Sequence, residues 1–139
     1  MKKVLSVMFL AAIILLTSAI CFAARSDFQN GYWKGNPNYP LISSQSYTVA
    51  VKNIAQKNYL LQPSNERVMK IETAVVSGYD DLDSDAFFYK KFGNYIFFST
   101  HNTGAGLPVI NWKLLNKNNP EHQEAWRAYQ IAAEVLRLR

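Results

Sequence analysis

The stretch that decides the fold is Ala86 to Thr100, AFFYKKFGNYIFFST. Two aromatic-rich runs flank Gly93-Asn94, and glycine at the first central position is what a type II′ hairpin turn requires. A two-residue turn also fixes the register. Phe92 then faces Tyr95, Lys90 faces Phe97 and Phe88 faces Ser99 on one side of the ribbon. On the other side Lys91 faces Ile96, Tyr89 faces Phe98 and Phe87 faces Thr100. Both faces are aromatic away from the turn, and each has one lysine near it. An antiparallel sheet with one wet face alternates apolar and polar residues. This ribbon does not, so both its faces need a cover.

Downstream, Val109 to Leu115 reads as a further strand, with Ile110, Trp112 and Leu114 alternating. The C-terminal segment reads as a helix. Asn118 or Asn119 can cap it, Pro120 suits the first helical position, and Glu121 and Glu124 sit near the positive end of the helix dipole. Gln123, Arg127, Gln130, Glu134 and Arg137 make a polar stripe, while Trp126, Tyr129, Ala132, Ala133 and Leu136 line the opposite side. So broad an apolar side must lie on a sheet.

Upstream, Val68 to Ser77 reads as a half-buried strand, with Met69, Ile71, Thr73 and Val75 on one face. Gln62 to Asn65 marks a turn. For residues 47–61 two readings stay open: a strand beginning with Tyr47, Val49 and Val51 at period two, or a helix from Val51 through Leu61. Residues 24–46 are punctuated by Gly, Asn, Pro and Ser yet hold Phe28, Tyr32, Trp33 and Tyr39. They read as an irregular aromatic arm lying over apolar surface. The expected fold class is therefore α+β: an antiparallel β-meander of four or five strands with a C-terminal α-helix packed on one face, forming a single domain over residues 47–139.

Residues 1–23 are set apart as a signal peptide. Lys2 and Lys3 precede an apolar run from Val4 to Leu16, and Cys21 and Ala23 are the small residues a signal peptidase reads before Ala24. A lipoprotein cut is disfavoured by Ile20 before the cysteine. Retention as an anchor is the rival reading, since Val4 to Ala24 approaches spanning length. Cleavage after Ala23 places the protein outside the cytoplasm, secreted or periplasmic, with no membrane span left after signal removal. Taking 23 residues from 139 leaves 116, enough for one unaided core. The only cysteine leaves with the signal, and with it any disulfide, thiol nucleophile or cysteine-ligated zinc. Loss of Lys2 and Lys3 lowers the formal net charge from +5 to +3, and no basic stripe interleaved with aromatics is visible. Nucleic acid is set aside as a partner.

Two candidate sites come from the residues. The first is an aromatic hairpin face, Phe87, Tyr89 and Phe98 with Lys91 as a rim residue, left open for an extracytoplasmic protein or small ligand. The competing reading covers that face internally, by curling the sheet or by the aromatic arm. The second site is the acidic loop Gly78 to Asp85. Asp81, Asp83 and Asp85 reproduce the D-x-D-x-D opening of a calcium loop, but Ala86 and Phe92 stand where its glycine and glutamate belong. Extending the ladder brings His101 opposite Ala86 and Asn102 opposite Asp85. Asp81, Asp83, Asp85 and His101 are thus the candidate ligands of an irregular calcium site. No nucleophile elbow, zinc helix or P-loop occurs. The functional expectation is a small, exported, non-enzymatic binding or interaction module. The alternative is a small metal-dependent protein or hydrolase using Asp80 to Asp85 with His101.

Overall fold

The computed structural model describes residues 27–77, 81–102 and 106–138. The signal peptide expected over residues 1–23, and the first residues of the arm, lie outside that range. The central hairpin forms from β6 (Asp81–Phe92) and β7 (Tyr95–Asn102). Its register is the one the Gly93-Asn94 turn dictates, from Phe92 opposite Tyr95 through Ala86 opposite His101 to Asp85 opposite Asn102. Gly93 takes φ +59°, the left-handed value that lets a two-residue turn follow the twist of the strands.

β6 pairs in turn with β5 (Glu66–Ser77), and β5 with β4 (Thr48–Leu61). Residues 48–61 are thus strand and not helix. β3 (Leu41–Ser43) and β8 (Lys113–Leu114) form the two edges, giving a six-stranded antiparallel meander, larger than the four or five strands expected. The extra strand comes from the arm. Its Leu41 pairs with Val49, and upstream of it β1 (Phe28–Gln29) and β2 (Tyr32–Trp33) make a small separate ribbon. The arm is therefore ordered by backbone pairing as well as by aromatics such as Phe28, which stacks on Tyr47 at 6.1 Å. The expected strand over Val109–Leu115 shrinks to β8, because only Lys113 and Leu114 form ladder pairs with β7, although the Leu115 N–H also reaches the Ile96 carbonyl at 2.8 Å.

β4 breaks register twice, between Val51 and Gln56 and between Gln56 and Tyr59. Each irregularity bends the strand and strengthens its twist, so that β4 curls. Its first half offers Ala50 to one side of the sheet, while its end supplies Tyr59 and Leu61 to the other.

At the C-terminus, Asn119 Oδ1 accepts from the Glu121 N–H at 3.0 Å and starts a 3-10 turn, Pro120–His122, that runs into α1 (Gln123–Val135). Gln123, Arg127, Gln130, Glu134 and Arg137 are all exposed, as the stripe requires. The buried line consists of Ala125, Ala128, Ile131 and Ala132. Trp126 and Tyr129 instead sit half-buried at its margin, stacked on each other at 5.8 Å. Alanines on the contact line let the helix come close to the sheet, and the large rings close the sides. α1 lies across β3, β4, β5 and β6.

Two cores result. Beneath the helix, Ala50, Met69, Ile71, Phe87, Tyr89 and Phe98 pack against the alanine line. On the opposite face Leu61, Val68, Ala86 and Phe88 are covered by Tyr59 from the curled strand and by Ile110 and Trp112 from the segment after β7. Phe87, Phe88 and Tyr89 are consecutive and all buried, the signature of a ribbon covered front and back.

Candidate functional site

The sequence nominates Phe87, Tyr89, Lys91 and Phe98 as an open face, and the helix takes that face. Phe87, Tyr89 and Phe98 are core residues. Phe87 packs against Tyr89 and Phe98 with centroids 6.1 and 6.4 Å apart, Tyr129 meets Tyr89 edge-on at 5.4 Å, and His122 meets Phe98 at 4.9 Å. The Tyr89 hydroxyl donates to the Ala125 carbonyl at 2.7 Å, and burial pushes its pKa well above the usual tyrosine value. These three side chains are unavailable to a partner. Only Lys91 of the four stays exposed.

The acidic segment is also rebuilt. Residues 81–85 are the beginning of β6, with Asp81, Asp83 and Asp85 paired to Ser77, Val75 and Thr73. Extended backbone advances about 6.6 Å per two residues, so alternate positions spread along a line, whereas a calcium loop folds them around a point. Asp80 and the side chains of Asp81 and Asp83 lie outside the described residues. Asp85 and His101 belong to successive cross-strand pairs, and successive pairs present to opposite faces. His101 Nε2 lies 3.0 Å from the Gly106 carbonyl, which can only accept, so this nitrogen carries the proton. Among the described residues, no three His, Cys, Asp or Glu side chains gather as a metal site.

On the face away from the helix, the closed end of the hairpin stays open. Phe92 and Tyr95, opposite each other beside the turn, are 78% and 61% exposed. One step inward Lys90 faces Phe97, and Phe97 faces Leu114 of β8, itself half exposed. Lys90 is held in place: its Nζ sits 4.5 Å from the Trp112 ring centroid and 3.3 Å from Glu66 Oε1. The same motif recurs on the neighbouring row, where Lys70 Nζ lies 4.7 Å over Tyr59 and 2.7 Å from Glu72 Oε1. Between these side chains is a cleft of about 450 Å³ lined by Glu66, Lys90, Lys91, Phe92, Phe97 and Trp112. A second cleft of about 320 Å³ opens on the helix side of the same end, where Lys57, Arg67, Lys90 and Lys91 border Ile96 and Leu138.

Phe92, Tyr95, Phe97 and Lys90 carry the mirror signal of the nominated face, since both sides of the hairpin are aromatic with one lysine near the turn. Trp112 had no such signal, because its place depends on how the segment after β7 crosses the sheet. No family model, no curated protein and no solved structure matches the chain.

Proposed function

We propose that this protein is a small exported binding module, without catalytic activity, whose contact surface is the closed end of the β6–β7 hairpin. The observation that carries this reading is the exposed cross-strand pair Phe92–Tyr95 beside a cleft walled by Phe97 and Trp112. Elsewhere on the hairpin aromatic side chains are covered on both faces, at the expense of a helix and a crossing segment. At its end two large rings stay in water, where each forgoes about 1.5–3 kcal/mol of burial. Aromatic side chains with adjoining cations are the residues that most often anchor partners. Export is supported by the signal-like residues 1–23.

The reading is tested without knowing the partner. Small aromatic carboxylate fragments are titrated into isotope-labelled protein, and amide shifts are followed by NMR. The expected result is shifts clustered over residues 90–97 and at Trp112, abolished by Phe92→Ser with Tyr95→Ser. Shifts spread evenly, or centred on another surface, refute the reading.

A further inference from the structure

Resting on that reading, we infer that the partner of the hairpin end is an anionic lipid surface, on which the protein lies without spanning it. The first ground is chemistry. Phe92, Tyr95 and Leu114 are exposed apolar groups at one end of the sheet, and the clefts flanking that end are bordered by Lys57, Arg67, Lys90 and Lys91. Among the described residues lining the two clefts the single acid is Glu66, and Lys90 is paired with it. Rings that enter the headgroup layer while lysine stems snorkel to anionic groups are the combination an interfacial site requires. The second ground is shape. Among the described residues the two most exposed rings, Phe92 and Tyr95, lie opposite each other beside the two-residue turn, at the very end of the ribbon. A soft lipid interface follows the contour of a sheet end and the cleft beside it, whereas a folded partner must supply a matching surface.

The third ground is charge along a single strand. β6 begins with aspartate positions 81, 83 and 85 and ends with Lys90 and Lys91. At about 3.3 Å per residue, positions 83 and 91 are roughly 26 Å apart. Near a negatively charged surface this polarity turns the closed end toward the surface and the acidic end away. The aromatic tip therefore arrives first.

The test uses the protein expressed with its whole sequence and recovered as the host exports it, mixed with vesicles of phosphatidylcholine with or without phosphatidylglycerol. Co-sedimentation is expected with the phosphatidylglycerol vesicles, much weaker with phosphatidylcholine alone, and reduced at high salt. Phe92→Ser with Tyr95→Ser should weaken partitioning at least about tenfold, and Lys91→Gln about fivefold. Both changes fall on exposed side chains, and a circular dichroism melt checks that the variants fold. A site-specific readout excludes a contribution from residues 1–23: with Trp33→Phe and Trp126→Phe, Trp112 is the sole tryptophan, and brominated phosphatidylglycerol should quench it. Absence of sedimentation and quenching, or partitioning unaltered by the Phe92/Tyr95 changes, overturns the inference. Binding to a soluble acidic peptide without vesicle binding overturns it too, yet leaves the binding-module reading standing. Failure of both the fragment and the vesicle experiments removes the two together.

Discussion

Tyr89→Phe separates the contributions of one buried hydroxyl. The ring of Tyr89 is 2% exposed beneath α1, and its hydroxyl donates to the Ala125 carbonyl at 2.7 Å. Removing only the oxygen keeps the ring packing and deletes one hydrogen bond, a net loss of about 1 kcal/mol near neutral pH. For a domain of this size that lowers the melting temperature by roughly 4 °C. The alkaline side gives a second, opposite effect. Burial raises the Tyr89 pKa above its unfolded value near 10, with the nearby Tyr129 adding to the rise. The unfolded chain then releases this proton first. The contribution is fully present below about pH 10 and is lost as pH rises toward the folded-state pKa, at a slope of up to about 1.4 kcal/mol per pH unit. Phenylalanine has no such slope. The wild type should therefore be the more stable protein at pH 7, and the two curves should cross near pH 11. Urea unfolding at a series of pH values measures both effects. Equal stability at pH 7 together with parallel alkaline limbs would refute the burial of Tyr89 under the helix.

Phe88, 2% exposed and stacked on Tyr59 at 5.7 Å, anchors the core away from the helix. Phe88→Ala should cost about 3–5 kcal/mol, whereas Phe92→Ser should stay within about 0.5 kcal/mol, and chemical denaturation distinguishes them. Gly93→Ala places a methyl group where nothing lies within 4 Å, so only the left-handed backbone opposes it. A loss of about 1 kcal/mol is expected from equilibrium unfolding. Ser46 Oγ donates to Glu124 Oε1 at 2.6 Å and lies 2.7 Å from Thr48 Oγ1, tying the β3–β4 turn to the first turn of α1. Ser46→Ala should cost about 1–2 kcal/mol and speed amide exchange at the helix start, an effect that hydrogen-exchange mass spectrometry would register.

Individual residues show how far local information reaches. Phe87 and Phe88 are equally apolar neighbours on opposite faces, and nothing local says which one the helix will cover. Nomination of the Phe87 face as the open one therefore rested on a choice that local sequence does not make, and the partner surface proposed above is instead Phe92, Tyr95 and Phe97. The competing expectation, internal cover by a curled sheet, describes the middle of the second face. There Tyr59 arrives through the irregularities of β4, and Trp112 through a segment that pairs with β7 only at its end. Asp81 to Asp85 read as a loop because aspartate disfavours strands, but the ladder with Thr73, Val75 and Ser77 draws them into β6.

By itself the sequence determined whatever short-range geometry controls. The Gly93-Asn94 turn set the hairpin register pair by pair, Asn119-Pro120 set the start of the helical segment, and the polar stripe set the helix side left in water. Tertiary structure alone decided which hairpin face the helix occupies, what shields the other face, and how Leu41–Ser43 becomes an edge strand. Turn chemistry and side-chain alternation act over a few residues and have few solutions. The choice between two faces of similar hydrophobicity rests on small differences summed over contacts between distant segments, and no local stretch of chain contains them.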